Sequence, residues 1–187
     1  MKVTVILGSP RLDSNSEKLA RAAAAALTGP QEPPEVFKLN ELRYRGCQAC
    51  MGCKTKKEFC VLRDDLTRVL SSAAGADFVI LTSPIYIGDI SSQLKGFVDR
   101  AYSWLNPDYL NASVRSRVKS GKKLLFIVTQ GHPELGAYKK TIDNYLGYFG
   151  NFHGFSAASF FAPIGDANLE KTKPELLDEV VKAAKAL

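Results

Sequence analysis

The stretch that decides the fold is Val3-Thr-Val-Ile-Leu-Gly-Ser-Pro-Arg-Leu-Asp-Ser-Asn-Ser-Glu-Lys-Leu-Ala20. An apolar β-branched run stops at Gly8, a polar loop follows, and an alanine-rich helix begins at the capping box of Ser14 and Glu17. A buried strand leading through such a loop into a helix N-terminus can bind phosphate, because the first backbone N–H groups of the helix are unpaired. The stretch is equally compatible with a helix that is only well capped, so this loop alone leaves both interpretations open.

Apolar runs and helical patterns alternate along the rest of the chain. Five runs are nearly continuous, as expected for strands covered on both faces; they lie at residues 3–7, 36–39, 78–81, 124–128 and 157–161. Helical patterns lie at residues 16–27, 66–74, 92–104, 135–148 and 174–187. This alternation predicts an α/β fold, a doubly wound five-stranded parallel sheet with helices on both faces.

Length and composition fit one globular domain. The 187 residues can bury a sizeable core, and 45% hydrophobic and 24% charged residues are ordinary values. The net charge of +6 is too diffuse to indicate a nucleic-acid partner. No signal-peptide pattern is present, and no apolar run approaches the roughly 20 residues that span a bilayer. We therefore expect a single cytoplasmic domain over residues 1–187 with no membrane partner.

A second candidate loop follows the third strand, at Ser83-Pro-Ile-Tyr-Ile-Gly88. In a doubly wound sheet, ligands bind beyond the carboxyl ends of the strands where the strand order reverses, so this loop should meet the loop after the first strand. The first loop offers donors for an anion, and the second offers an apolar and aromatic edge. A flat aromatic ring with a phosphate tail would match both.

These motifs resemble the flavodoxin-like NAD(P)H-dependent FMN reductase family: Gly8-Ser-Pro-Arg11 with Ser14-Asn-Ser16, then Ser83-Pro-Ile-Tyr86 with Lys95 and Asp99-Arg100. The resemblance implies a flavodoxin-like sheet in the order 2-1-3-4-5, FMN as cofactor and NAD(P)H as co-substrate. It implies that the FMN phosphate is held by Ser9, Arg11, Ser14, Asn15 and Ser16. The isoalloxazine would lie against Pro84, Ile85, Tyr86, Ile87 and Gly88, with Thr129, Gln130 and Gly131 at its other edge. No side chain is assigned as a catalytic acid or base, because the flavin carries the hydride chemistry.

The four cysteines lie in a cysteine-rich loop at about residues 43–63, as Cys47-Gln-Ala-Cys50-Met-Gly-Cys53 followed by Cys60. Three thiols at two-residue gaps and a fourth close behind can converge on one iron–sulfur cluster, and bacterial ferredoxins use a similar first three. Lys54, Lys56 and Lys57 would offset the thiolate charge. Zinc, a reactive Cys-x-x-Cys dithiol and plain buried thiols remain alternatives for these candidate metal ligands.

The same run resembles the compact motif of iron–sulfur flavoproteins, a branch of the same flavodoxin-like group. This resemblance implies a 4Fe-4S cluster near the flavin of a neighbouring subunit, and hence a homodimer or homotetramer. The two histidines differ in placement: His132 follows the fourth strand in a candidate ligand loop and could touch substrate, whereas His153 precedes the fifth strand and is expected to be packed.

The sequence is compatible with three functions. The first is an FMN-dependent oxidoreductase that transfers electrons from NAD(P)H to a small acceptor, namely a quinone, free flavin, a metal or a nitro compound. The second is an electron carrier that relays single electrons between FMN, a 4Fe-4S cluster and ferredoxin-like partners. The third is a redox-sensing or binding module that keeps the fold without the flavin.

Overall fold

Five parallel strands form the centre of the fold in the computed structural model, which describes residues 1–55, 59–165 and 167–187. A sixth strand of two residues, β4, pairs antiparallel with the end of β3. The strand order is β2-β1-β3-β5-β6, with β4 beside β3, so β1 and β3 are neighbours near the centre. The strands are β1 (Val3–Leu7), β2 (Glu35–Lys38), β3 (Phe78–Tyr86), β4 (Asp89–Ile90), β5 (Lys123–Thr129) and β6 (Ser156–Ala162).

This sheet confirms the predicted flavodoxin-like, doubly wound fold class. The predicted order 2-1-3-4-5 matches the five parallel strands, and the short β4 is an addition to it. The helices that follow the strands are α1 (Asn15–Leu27), α2 (Gly52–Thr55), α3 (Leu66–Gly75), α4 (Ser92–Ala101), α5 (Lys139–His153), α6 (Leu169–Thr172) and α7 (Glu175–Ala186). Among the described helices, none combines the length and the apolar character needed to cross a membrane.

The core consists of two apolar clusters, one on each face of the sheet. Successive residues of one strand belong to opposite clusters: Val5 packs with α1 and α7, and Ile6 packs with α3, α4 and α5. Ile80 and Leu81 divide in the same way. Because both faces are covered, apolar residues occupy successive strand positions, which is why the strands read as continuous apolar runs.

Two predicted elements have a boundary that differs from the structure by more than three residues. The third strand was expected to end at residue 81, but β3 continues to Tyr86, and Pro84 still lies opposite Thr129 of β5. The fourth helix is predicted at residues 135–148, but α5 spans Lys139–His153 and is followed by the C-cap Gly154, whose φ of 69° is left-handed. The start was wrong because residues 135–138 form turns, in which the Ala137 N–H donates to the Glu134 carbonyl at 3.3 Å and the Lys139 N–H donates to the Gly136 carbonyl at 3.1 Å.

Candidate functional site

A cleft of about 580 Å³ opens at the carboxyl ends of β1, β3 and β5. Its volume is in the range of small-molecule sites. Three predicted cofactor residues do not line it: Ser16 is buried, whereas Ile87 and Gly88 lie at an exposed turn. The predicted residues that do line it are Ser9, Arg11, Ser14, Asn15, Pro84, Ile85, Tyr86, Thr129, Gln130 and Gly131.

One end of the cleft is the N-terminus of α1. Ser14 is the N-cap, and its Oγ accepts a hydrogen bond from the backbone N–H of Glu17 at 3.2 Å. The helix has 13 residues, so its first N–H groups and its dipole favour an anion here. Lys18 also lines the cleft and is an addition to the predicted set. Its Nζ lies 3.2 Å from the Asp13 carboxylate, and this partner is the main cause that raises the pKa of Lys18.

Asn15 has a structural role that its position in the loop did not predict. Its Nδ2 donates to the carbonyls of Ala167 at 2.8 Å and Gly165 at 3.4 Å. The backbone N–H of Leu169 donates to its Oδ1 at 3.4 Å. Asn15 therefore joins the start of α1 to the loop after β6, and that loop adds Gly165, Ala167 and Asn168 to the wall of the cleft.

The two predicted ligand loops are joined by direct hydrogen bonds. The backbone N–H of Gly8 donates to the Thr82 carbonyl at 2.9 Å. The Ser91 hydroxyl donates to the Gly8 carbonyl at 2.7 Å, and the Ser91 N–H donates to Ser83 Oγ at 2.8 Å. The convergence expected at the strand-order reversal is thus present, and Ser91 connects the two loops.

The opposite end of the cleft is apolar and aromatic, with Pro84, Ile85 and Tyr86 in its wall. Beyond it, Ile87 and Gly88 form the turn between β3 and β4, and both have positive φ, 49° and 80°. Two left-handed residues match a type I′ hairpin turn, for which Asn-Gly is preferred. A β-branched residue in this conformation is strained, and Ile87 is also fully exposed at 104%. Strain of this kind concentrates at ligand-binding segments.

Gln130 forms the third side of the cleft and is 2% exposed. Its Nε2 donates to the carbonyls of His132 and Glu134, both at 2.7 Å. These bonds fix the orientation of the amide, and Oε1 has no partner among the described residues. A buried acceptor on the wall of a cleft fits a ligand N–H group. His132 itself is exposed, so its contact with a substrate stays a prediction.

The four cysteines line a second, smaller pocket of about 30 Å³. Gly52 packs closely against Val61, near the other end of the cysteine loop. A Cβ at position 52 would lie 2.8 Å from Val61 Cγ1. Within the described residues, no three side chains of His, Cys, Asp or Glu are grouped as a ready metal site. Four thiols are the donor type that an iron–sulfur cluster requires, but a pocket of this size would have to widen to admit one.

The backbone between the cysteines supports the same interpretation. Ala49 and Met51 have φ values of 49° and 55°, in the left-handed region that costs a non-glycine residue about 1–2 kcal/mol. A left-handed residue next to a right-handed or turn residue can direct successive backbone N–H groups into a concave anion site, and many iron–sulfur sites use this arrangement. The strained residues flank Cys50 on both sides, so the N–H groups that can meet a thiolate lie next to a candidate ligand.

Cations lie behind the cysteine pocket. Lys54 Nζ donates to the carbonyls of Tyr102 at 2.8 Å and Leu105 at 2.6 Å, and Arg117 Nη2 donates to the Cys53 carbonyl at 3.1 Å. Burial raises the pKa of the Cys53 thiol, whereas a nucleophilic dithiol needs a lowered one. The predicted contributions of Lys56 and Lys57 to charge balance lie outside the described residues.

Comparison with known proteins identifies related sequences. The family model described as NADPH-dependent FMN reductase matches residues 1–142. An iron-sulfur flavoprotein of Methanosarcina thermophila is 38% identical over 102 residues, which are 54% of this chain and 52% of that protein. An iron-sulfur flavoprotein of Methanocaldococcus jannaschii is 37% identical over 101 residues, 54% of this chain and 52% of that protein. The chain spans about half the length of the curated relatives it matches.

Solved structures share the fold. The NAD(P)H:quinone oxidoreductase from Methanothermobacter marburgensis has a TM-score of 0.72 at 15% identity, covering 99% of this chain and 94% of that one. The FMN-dependent NADH-azoreductase from Bacillus anthracis, solved in complex with FMN, has a TM-score of 0.69 at 19% identity, covering 100% and 99%. At these identities the likeness establishes the architecture alone.

Proposed function

We propose that this chain, which belongs to the NADPH-dependent FMN reductase family, is an FMN-dependent oxidoreductase that moves electrons from NAD(P)H to a small acceptor. The observation that carries the proposal is one cleft with an anion-binding end at α1 and an apolar end at residues 84–86. FMN has a phosphate at one end and a tricyclic aromatic ring at the other, so its two ends match the two ends of the cleft. A quinone, free flavin, a metal ion or a nitro compound is the proposed class of acceptor.

The residues of the cleft would bind and orient the cofactor, and bound FMN would supply the hydride chemistry. The α1 N-terminus, with Ser9, Arg11 and Lys18, would hold the phosphate. The backbone from Pro84 to Tyr86 would face the ring. Gln130 Oε1 would accept a hydrogen bond from a ring N–H, since its own Nε2 is already occupied by two carbonyls.

Ser14 allows the phosphate contact to be separated from helix capping. Ser14→Ala removes the cap and should lower the free energy of unfolding by about 1 kcal/mol. Ser14→Asp keeps an N-cap acceptor and a favourable charge for the helix dipole, so stability should be retained. The new carboxylate would repel a phosphate, so FMN affinity in a fluorescence titration should fall at least tenfold.

Riboflavin, which lacks the phosphate, is the matched control ligand. We expect Ser14→Asp and the unaltered chain to bind riboflavin with similar affinity. If Ser14→Asp bound FMN as tightly as the unaltered chain, the phosphate would not lie at α1 and the proposal would be wrong. At FMN concentrations a hundredfold above Kd, the unaltered chain should gain about 2.7 kcal/mol of stability.

The cysteine pocket favours a second function, and we propose that Cys47, Cys50, Cys53 and Cys60 hold a 4Fe-4S cluster. Four thiols on one pocket, the strained backbone at Ala49 and Met51 and nearby cations support this assignment. The relatives named iron-sulfur flavoproteins support it as well. In this case the chain would relay single electrons between FMN and a ferredoxin-like partner.

Anaerobic purification followed by iron and sulfide analysis tests the cluster. We expect about four iron atoms per chain, and their loss in Cys50→Ser. Thr55→Ser is the control, because Thr55 is exposed near the end of the same loop and its hydroxyl bond to the Met51 carbonyl is available to serine. Protein that carries zinc instead of iron, or Cys50→Ser that retains its iron, would contradict the assignment.

The oligomeric state of the chain is also a proposal. We propose a homodimer or homotetramer in which the cluster of one subunit approaches the flavin of its neighbour. Cys47 and Ala49 also line a groove of about 740 Å³ between α4 and α5, so the cysteine loop is accessible from that surface. Light scattering during size-exclusion chromatography measures the assembly, and a monomeric mass would contradict it.

A further inference from the structure

The cysteine pocket has two polar residues that its own loop does not supply. Ser103 and Arg100 line it together with the four cysteines. Arg100 belongs to the last turn of α4, and Ser103 lies in the 3₁₀ helix Tyr102–Trp104 that follows. Their exposed fractions are 1% for Arg100 and 3% for Ser103. The sulfur side chains are thus bordered by hydrogen-bonding groups from a separate, ordered element.

Each of these residues has a buried polar atom with no partner among the described residues, Ser103 Oγ and Arg100 Nε. A buried donor left unpaired costs about 1–3 kcal/mol, so it normally has an acceptor. The rest of the guanidinium is satisfied: Nη1 donates to both carboxylate oxygens of Asp64 at 2.6 Å, and Nη2 donates to the Leu62 carbonyl at 3.3 Å. Of the three guanidinium nitrogens, Nε alone has no acceptor among the described residues.

The segment that carries Ser103 is held through its backbone. Lys54 donates to the carbonyls on either side, at Tyr102 and Leu105. Arg117 Nη1 donates to the Ser103 carbonyl at 2.8 Å, and its Nη2 reaches the Cys53 carbonyl. These bonds fix the segment relative to the cysteine loop and leave the Ser103 hydroxyl unused.

We propose that Ser103 and Arg100 donate hydrogen bonds to sulfur of a cluster held in the cysteine pocket and raise its reduction potential, an inference that rests on the proposed cluster. A hydrogen bond favours the more negative form of its acceptor, and reduction adds an electron to the cluster. No bond to sulfur forms or breaks, and both donors keep their protons. Removing one donor therefore shifts the potential to a more negative value.

Ser103→Ala tests the proposal with the least structural change. We expect it to retain iron and sulfide at the level of the unaltered chain. Its cluster potential should become more negative by about 59 mV, which is a tenfold change in the ratio of reduced to oxidised cluster. Ser103→Thr keeps a hydroxyl and should restore the potential. Ser71→Ala is the matched control, because Ser71 lines the adjacent cavity that Ser103 also borders but does not line the cysteine pocket.

The readouts separate the possible failures. Unaltered chain without iron and sulfide would overturn both the proposed cluster and this inference. Ser103→Ala with full iron content and an unchanged potential would overturn the inference alone. Equal shifts in Ser103→Ala and Ser71→Ala would also overturn it, because the effect would then not depend on a donor in the cysteine pocket. A shift in Ser103→Ala that Ser103→Thr reverses would support it.

Discussion

Gly8 shows how a single residue positions the candidate flavin site. It directly follows β1 and donates its N–H to the carbonyl of Thr82 in the adjacent strand. A Cβ at this position would lie 2.6 Å from that carbonyl oxygen and 2.8 Å from Leu94 Cβ. Only glycine therefore lets β1, β3 and α4 approach closely enough for the two ligand loops to meet.

Gly8→Ala should lower the free energy of unfolding by about 1–3 kcal/mol, because the methyl group must displace backbone or α4. It should also weaken FMN binding, since the first ligand loop starts at this residue. Urea unfolding and an FMN titration measure the two effects. Gly29→Ala is the control: no atom lies within 4 Å of its Cβ position, and its stability should change by less than about 1 kcal/mol. Equal losses in the two variants would contradict the steric argument.

His153 confirms the expectation that this histidine is packed, since it is 1% exposed. Its Nδ1 and the Ser116 hydroxyl share a hydrogen bond of 2.8 Å, and Trp104 and Tyr148 pack edge-on against the ring. Burial lowers the pKa of His153 to about 4, and the positive charge of Lys54 acts in the same direction. The side chain is thus neutral in the folded protein at neutral pH.

This pKa makes stability depend on pH. The unfolded histidine titrates near pH 6.5, so its contribution to stability is fully present above that pH and is lost as the pH falls toward 4. Between pH 7 and pH 5 the loss should be about 2 kcal/mol. His153→Gln removes the titrating group, so urea unfolding should show a smaller loss over this range. His132→Gln, at an exposed position, should behave like the unaltered chain; identical pH profiles for all three proteins would refute the assignment.

At the scale of elements, the β3–β4 hairpin combines an unfavourable turn residue with a favourable position for ligand contact. Ile87 and Gly88 occupy the two left-handed positions of the turn, at the apolar end of the candidate flavin site. The hairpin would be more stable with asparagine before the glycine. An isoleucine at this strained and exposed position is consistent with a proposed contact to the ring.

Ile87→Asn should raise the free energy of unfolding of the flavin-free protein by about 1 kcal/mol, because asparagine adopts the left-handed conformation more readily. If Ile87 covers the ring, riboflavin affinity should fall in the same variant. Leu12→Asn is the control, since Leu12 is also a largely exposed apolar residue, at 88%, but does not have positive φ. Thermal or urea unfolding that ranks Ile87→Asn at or below the unaltered chain would contradict the strain argument.

At the scale of the whole molecule, the Arg100–Asp64 ion pair connects the cysteine loop to α4, which covers one face of the sheet. Arg100 Nη1 also donates to the Arg45 carbonyl at 3.2 Å, and Nη2 donates to the Leu62 carbonyl. Arg45 precedes the first cysteine and Leu62 follows the last. One buried side chain at the end of α4 therefore holds both ends of the loop.

Asp64→Asn should lower the free energy of unfolding by about 3 kcal/mol, because it leaves the Arg100 charge buried without its counter-ion. The exposed Lys95–Asp99 pair on α4 provides the control, with side chains 45% and 42% exposed. Asp99→Asn should cost less than about 1 kcal/mol. Urea unfolding compares the two variants directly, and equal effects would show that burial does not determine the strength of the Arg100–Asp64 pair.

The fold class and the two main ligand loops could be predicted because both depend on local pattern. Strands covered on both faces must be apolar at successive positions, as in Val3–Leu7, and a polar loop leading into a capped helix has the same form wherever it occurs. The convergence of the loops follows from the topology of a wound sheet. The roles of individual residues were harder to predict from the sequence. Ser16 is buried, and Ile87 and Gly88 form an exposed turn.

Contacts between distant segments were decided by the tertiary structure alone. Asn15 meets a loop 150 residues later in the chain, and Arg117 reaches the Cys53 carbonyl across 64 residues. The orientation of the Gln130 amide depends on the carbonyls of His132 and Glu134, in the loop just before the predicted helix. Such contacts produce no periodic pattern in the sequence. Each depends on how separate elements pack together, and not on the spacing of residues within a single element.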